Sequence, residues 1–163
     1  MDIALRPPAN LVSTRAPLYW TLAAIPGWLS LLAIEAALAL FTDTVTMRLA
    51  VIAAAVTVVV ASVHLAVMPQ WRFRVHRWEV TDEVAYTQFG WLTQERRLAP
   101  LSRIQTVDTR RGAFSQLLGL ADITITTASA SGAIKIEALD QEVAEQTVAW
   151  LTERAQLSSA DGT

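Results

Sequence analysis

The chain has 163 residues, of which 53% are hydrophobic and 17% charged, and its net charge is −2. This length fits one domain of ordinary size with a short appendage, and soluble domains usually contain about 25% charged residues. The absence of cysteine excludes disulfides, thiolate metal sites, iron–sulfur clusters and cysteine nucleophiles.

Two long apolar segments lie near the N-terminus. Residues 18–41 contain one charged side chain, Glu35, and residues 49–69 contain His64 as their one ionisable side chain. Crossing about 30 Å of hydrocarbon takes roughly 20 helical residues. Each segment therefore predicts a transmembrane helix, and the short polar segment 42–48 predicts an extracytoplasmic turn. A cleaved signal peptide and a buried hairpin of a soluble protein are the alternatives, but two such segments in succession favour the membrane.

Arginines are distributed unequally about this predicted hairpin. The outer ends carry five of them: Arg6, Arg15, Arg72, Arg74 and Arg77. The turn has only Arg48. The positive-inside rule therefore predicts a multi-pass protein with both termini in the cytoplasm, in which residues 1–17 form a cytoplasmic N-terminal segment.

Glu35 and His64 are polar residues within the predicted spans. An intramembrane carboxylate is by default a functional-site candidate, because its charge is costly in lipid. We favour a protonated Glu35 that is hydrogen-bonded within the hairpin or faces another copy of the chain, since two helices enclose no pathway. For His64, near the cytoplasmic end of its helix, we favour contact with headgroups over a metal, because no second ligand is apparent.

From residue 70 the hydrophobic pattern changes to a period of two, which is typical of strands. We predict a mainly β domain over residues 70–157, built from six to seven short antiparallel strands in a curled sheet. The expected strands are residues 71–80, 84–89, 91–98, 103–109, 122–127 and 133–138. The first of them leaves the membrane at Trp71, with Arg72 and Arg74 on one face.

A short helical turn at residues 113–118 and a C-terminal helix complete this domain. Asp140 is expected to cap the helix, which runs to about residue 155. Side chains at helical spacing on it are expected to close the open end of the sheet: Val143, Thr147, Trp150, Leu151 and Arg154. Residues 158–163 are predicted to be a disordered tail.

The stretch PLSRIQTVDTRRGAFSQLLGLADITITTAS, residues 100–129, carries a recognisable pattern. Its matching positions are Ser102, Arg103, Ile104, Gln105, Val107, Gly112, Gly119, Leu120, Thr127 and Ala128. In this pattern the chain resembles the bacterial pleckstrin-homology-like (PH-like) membrane family of YdbS type. The resemblance implies two membrane helices followed by one PH-like domain at the bacterial cytoplasmic membrane. It implies no catalytic residues, and Gln116-Leu117-Leu118 stands where that family often has an arginine.

No catalytic constellation is recognisable in the sequence. The one histidine after the spans is His76, no serine lies in a nucleophile elbow, and there is no Gly-rich phosphate loop or metal-ligand spacing. The neighbouring carboxylates Asp82-Glu83 and Asp140-Glu142 are explained more simply as turn and capping residues. We therefore expect no enzyme activity, no cofactor, no metal and no small-molecule substrate.

Basic residues are concentrated in the part of the domain next to the predicted membrane. Residues 71–111 contain eight arginines and five acidic residues, whereas residues 113–163 contain two basic and seven acidic residues. The candidate lipid or partner contacts are these arginines: Arg72, Arg74, Arg77, Arg96, Arg97, Arg103, Arg110 and Arg111. Each arginine near an anionic bilayer contributes about 1 kcal/mol to binding. For Arg103 we favour a structural role, pairing with Asp108 or capping a carbonyl.

Two function classes remain after these exclusions. The first is a membrane-anchored adaptor or scaffold for another membrane protein or for copies of this chain, using an open sheet edge. The alternative is recognition of anionic lipid headgroups. The short acidic loop at residues 81–83 argues against a specific inositide pocket, and an anchored domain gains little from weak lipid recruitment. Nucleic-acid binding is disfavoured because exposed aromatics are not interleaved with the arginines and the pI is about 5.6.

Overall fold

Two long helices form a hairpin at the start of the described chain, which comprises residues 6–41, 43–128 and 132–160 of the computed structural model. They are α1 (Ala16–Ala39) and α2 (Thr44–Val75), packed side by side. Among the described residues, these two helices are long and apolar enough to cross a membrane. Asp43 caps α2 by accepting a hydrogen bond from the N–H of Thr46 at 2.8 Å.

Helix α2 extends beyond the second predicted span. Its 32 residues make it about 48 Å long, whereas the hydrocarbon core is about 30 Å thick. The prediction of a strand beginning at Trp71 is therefore wrong for its first five residues. The alternation there is too short to exclude a helix, and the helix continues because Val75 is buried and the N–H of His76 donates to the Arg72 carbonyl at 2.8 Å.

After α2 the described residues form a mainly β domain with two antiparallel sheets. The first sheet has the order β1-β2-β3-β4, and the second has the order β5-β6-β7. Their strands are β1 (Asn10–Leu11), β2 (Arg77–Val80), β3 (Val84–Gly90), β4 (Gln94–Pro100), β5 (Ile104–Arg110), β6 (Leu120–Thr127) and β7 (Ile134–Asp140). The predicted mainly β domain is confirmed, with its strands divided between two sheets.

Two helices belong to the described part of this domain, α3 (Ala113–Leu117) and α4 (Gln141–Ala160). The predicted packing face of α4 is correct in part. Leu151 is buried and Trp150 packs against the core, whereas Val143 and Arg154 are exposed. Ala144, which was not predicted to face the sheets, is buried. The helix includes residues 158–160 of the predicted tail, and residues 161–163 lie outside the described residues.

The N-terminal segment before α1 packs onto the β domain. Its strand β1 pairs with β2, with Asn10 opposite Trp78. Arg6 forms two hydrogen bonds with the carboxylate of Glu79, at 2.8 and 2.6 Å, and its carbonyl accepts a hydrogen bond from the Tyr86 hydroxyl at 3.0 Å. The Arg6 hydrogen bond lowers the pKa of Glu79. A short strand rich in neighbouring prolines leaves no periodic signal in the sequence.

The hydrophobic core is shared by the hairpin and the domain. Its buried members include Ala16 and Trp20 from α1, Trp78 from β2, and Ile123 and Leu139 from the second sheet. The first two turns of α1 are thus part of the domain, and only the remainder of the helix projects from it. This arrangement places the end of α2 beside β3.

Candidate functional site

Arg72 connects the C-terminal end of α2 to the β domain. Its guanidinium forms an ion pair with Glu137 on β7, with 2.7 Å between Nη2 and Oε2. The same group lies over the ring of Trp20, 4.6 Å from its centroid. Arg72 therefore joins α2 to α1 and to the second sheet at once, which gives it a structural role at this junction.

His76 lies directly beneath this contact and is only 4% exposed. Its Nε2 accepts a hydrogen bond from Nε of Arg72 at 3.3 Å, so its Nδ1 carries the proton and donates to the Arg72 carbonyl at 2.9 Å. The ring packs against Trp20 with 4.9 Å between centroids. Burial and the charge of Arg72 lower the pKa of His76 from 6.5 to about 4. The imidazole is therefore neutral near pH 7.

Two other basic residues of this region have no side-chain partner among the described residues. The side chains of Arg74 and Arg77 make no hydrogen bond or ion pair with the described residues. The same holds for Lys135 on β7. Their charges are available to an external anion.

A cavity of about 230 Å³ opens where the end of α2 meets β3, β4 and β7. We call it the hairpin-side cavity, and its polar lining includes His76, Arg77, Thr87, Arg97, Lys135 and Glu137. The hydroxyl of Thr87 is buried and has no hydrogen-bond partner among the described residues. A buried polar group without a partner costs free energy, so this hydroxyl has unused capacity to hydrogen-bond a polar ligand.

A second cavity, of about 220 Å³, runs along β4 and faces the second sheet. We call it the edge cavity, because β4 is the last strand of the first sheet and is paired with β3 alone. Its charged lining consists of Arg96, Arg97 and Arg103, with no carboxylate among the described lining residues. The structure thus brings together three of the eight predicted arginines.

Arg96 and Arg97 are held in place by neighbours on both sides of β4. Arg96 donates from Nε to Oε1 of Gln88 at 3.0 Å, and Gln88 in turn donates to the Val75 carbonyl at 3.2 Å. Arg97 donates to the Ala133 carbonyl at 3.2 Å and lies over the ring of Phe89. Its Nη2 also pairs with Oε2 of Glu95 at 3.1 Å. Arg97 lines both cavities and connects β4 to the start of β7.

Arg103 ends the single 3-10 turn Leu101–Arg103 between β4 and β5. Neither expected role of the Arg103 side chain, pairing with Asp108 or capping a carbonyl, occurs among the described residues. The Asp108 carboxylate accepts a hydrogen bond from the Thr106 hydroxyl at 3.1 Å. The Arg103 side chain has no hydrogen-bond or ion-pair partner among the described residues. Among the described residues, it is the arginine of the edge cavity whose guanidinium is left available to a carboxylate.

Arg110 and Arg111 lie at the opposite end of β5 from Arg103, seven residues or about 23 Å along an extended strand. Arg111 donates from Nε to the Leu120 carbonyl at 3.2 Å, and Arg110 lies opposite Asp122 in the strand register. Burial raises the pKa of Asp122, and the charge of Arg110 opposes that rise. These two arginines therefore do not join the cavities.

Glu35 and His64 make contacts within the hairpin. Glu35 accepts a hydrogen bond from the Thr57 hydroxyl at 2.7 Å, and its other oxygen is buried without a partner among the described residues. His64 accepts a hydrogen bond at Nδ1 from Nε1 of Trp28 at 3.1 Å. No group of three or more potential metal ligands occurs within the described parts of the chain.

A helical hairpin joined to two antiparallel sheets and a C-terminal helix defines a PH-like domain carried on a pair of apolar helices. The family model described as Bacterial PH domain matches residues 21–155. The chain belongs to this family, and the narrower YdbS-type assignment stays a prediction. Neither a curated protein nor a solved structure matches the chain.

Proposed function

We propose that the chain is a non-enzymatic adaptor anchored in the bacterial cytoplasmic membrane by α1 and α2. Two apolar helices in a hairpin support this anchoring. The excess of arginine at the base of the hairpin over its turn supports an orientation with both termini and the PH-like domain in the cytoplasm. Anchoring holds the domain at high effective concentration beside other membrane proteins.

The edge cavity is the observation that carries the adaptor proposal. An edge strand presents unpaired N–H and C=O groups, to which an extended peptide adds as a further strand. Beside β4, the cavity is lined by Arg96, Arg97 and Arg103. Arg97 is paired with Glu95, whereas the Arg103 guanidinium has no partner among the described residues. The occupant with matching chemistry is an extended acidic segment, from another membrane protein or from a second copy of this chain.

Site-specific photo-crosslinking in native membranes tests this proposal. A photoreactive residue replaces Leu98, which is exposed on β4 and lines the edge cavity. We expect mass spectrometry to identify one acidic protein segment crosslinked there. Arg103→Glu should abolish the crosslink. Arg74→Glu should retain it, because Arg74 lies outside the cavity and, like Arg103, has no partner among the described residues. Crosslinks to lipid alone, or crosslinks that Arg103→Glu leaves unchanged, would refute the adaptor proposal.

The hairpin-side cavity favours a second candidate, recognition of an anionic lipid headgroup. It adjoins the end of α2, and Arg77, Lys135 and the Thr87 hydroxyl lack partners among the described residues. A headgroup phosphate accepts hydrogen bonds from groups of this kind. The measurement is native mass spectrometry of protein extracted from mixed phosphatidylglycerol and phosphatidylcholine membranes. Lys135→Glu should reduce retention of phosphatidylglycerol, and Arg103→Glu should not. Equal retention by both variants would exclude this candidate.

A further inference from the structure

The turn between β3 and β4, residues 91–93, contacts the hairpin. Its Trp91 packs against His64 of α2, with 6.1 Å between ring centroids in an edge-to-face arrangement. The same imidazole contacts Trp28 of α1, so the turn touches a cluster formed by both helices. β3 itself lies beside the end of α2, because Gln88 donates a hydrogen bond to the Val75 carbonyl.

The position of His64 gives the depth of this turn. The second predicted span covers residues 49–69, and His64 lies five residues inside its cytoplasmic end. Five helical residues correspond to about 7.5 Å along the helix axis. Around this level α2 presents the exposed apolar side chains of Val60, Val63 and Val67. Trp91 therefore stands beside a stretch of helix that faces hydrocarbon.

The turn has a fixed backbone and an apolar tip. Gly90 has a φ of +114°, and a Cβ there would lie 1.9 Å from the Thr93 carbonyl oxygen. This tight bend presents Trp91 and Leu92, which are 40% and 81% exposed. In water such exposed apolar side chains lose the hydrophobic free energy that burial would supply.

We infer that the β3–β4 turn is a membrane wedge, in which Trp91 and Leu92 insert between the acyl chains and headgroups of the cytoplasmic leaflet. The apolar tip contacts His64, and the exposed apolar side chains of Val60, Val63 and Val67 lie within about one helical turn of that residue. An indole is well suited to this boundary because it combines an apolar ring with a polar N–H. This inference goes beyond the adaptor proposal and rests on its membrane anchoring.

The test is a depth measurement on the full chain in lipid nanodiscs of phosphatidylcholine and phosphatidylglycerol. The chain has no native cysteine, so Leu92→Cys, Val59→Cys and Glu83→Cys each place a single nitroxide label. Val59 is exposed on α2 within the predicted span, and Glu83 is exposed in the turn after β2. Electron paramagnetic resonance then compares the accessibility of each label to oxygen and to a water-soluble nickel chelate.

We expect the Leu92 label to be accessible to oxygen and protected from nickel, as at Val59 but at a shallower depth. The Glu83 label should be accessible to nickel. A nickel-accessible Leu92 label beside a protected Val59 label would overturn the wedge and leave the anchoring intact. A label at Leu92 shielded from both reagents would mean a protein contact and would also overturn lipid insertion. Nickel access at Val59 would refute the anchoring itself.

Discussion

The guanidinium of Arg72 lies 4.6 Å from the centroid of the Trp20 ring and joins the two helices where they enter the β domain. The same guanidinium pairs with Glu137, and both side chains of this ion pair are partly exposed. A cation–π contact contributes about 0.5–2 kcal/mol, and an exposed ion pair contributes about 0–1 kcal/mol. Arg72 is therefore the first position at which we expect a substitution to loosen the junction.

Arg72→Ala should lower the free energy of unfolding by about 1–2 kcal/mol, because it removes the cation–π contact and the ion pair together. Chemical denaturation of the full chain in detergent measures this change. Arg74→Ala removes a neighbouring arginine that has no partner among the described residues. It should change the free energy of unfolding by less than about 0.5 kcal/mol. Equal losses in the two variants would contradict a structural role for Arg72.

His76 should make the stability of the chain depend on pH below neutrality. Burial and the charge of Arg72 lower its pKa from 6.5 to about 4. Between these two values the unfolded chain binds a proton that the folded chain does not, so stability decreases as the pH falls. The loss from pH 7 to pH 4 is at most about 3 kcal/mol.

Denaturation midpoints of the native chain and of His76→Gln, measured between pH 4.5 and pH 7.5, check this expectation. The native midpoint should fall more steeply toward low pH, because glutamine has no proton to bind in this range. If the two curves run parallel, another group is responsible for the pH dependence.

Gly90 should be intolerant of any side chain. Alanine there would need a φ of +114° and would place its Cβ 1.9 Å from the Thr93 carbonyl oxygen, so the turn must shift. We expect Gly90→Ala to lower the free energy of unfolding by about 2 kcal/mol or more. Gly27→Ala is the matched control, since a Cβ at Gly27 meets nothing within 4 Å. Thermal unfolding in detergent compares the two, and similar transitions would show that the turn is adaptable.

Thr57 and Glu35 should stabilise the hairpin together. Thr57→Val removes the donor to the carboxyl of Glu35 and leaves both of its oxygens without a partner among the described residues. Interhelical hydrogen bonds of this kind contribute about 0.6 kcal/mol on average in membranes. A double-mutant cycle of Thr57→Val with Glu35→Leu, measured by unfolding in mixed micelles, should give a coupling energy of about 0.5–1.5 kcal/mol. Strictly additive effects would show that the hydrogen bond contributes nothing.

Several parts of the fold could be predicted from local patterns. The apolar segments indicated α1 and α2, because length and absence of charge are sufficient to predict a membrane-length helix. The strands between Val84 and Asp140 followed approximately from their alternation and turn residues. The predicted strand 91–98 is wrong at its start, because residues 91–93 belong to the turn and β4 begins at Gln94. The end of α2 could not be predicted in this way. The hydrophobic pattern of the five residues from Trp71 to Val75 is compatible with a strand and with a helix, and packing against the domain decides between them.

The candidate site was less accessible to sequence reasoning, because it depends on contacts between distant residues. The arginines were recognised by type, but nothing in the sequence indicates that Arg96, Arg97 and Arg103 meet in one cavity while Arg110 and Arg111 lie elsewhere. Nothing in the sequence distinguishes Thr87, whose hydroxyl has no partner among the described residues, from the other threonines of the chain. The contact between Trp91 and His64 joins residues 27 positions apart in the chain, and a pattern confined to one strand cannot predict it.

Because Ala16 and Trp20 belong to the same core as Ile123 and Leu139, the start of α1 and the β domain form one packed unit. The domain cannot move away from α1 without exposing its own interior to water. With α1 and α2 anchored as we propose, this packing fixes the height of the domain above the bilayer. Under the same proposal, a segment that binds β4 must come within that height, and a rotation of α1 in the bilayer would turn β4 with it.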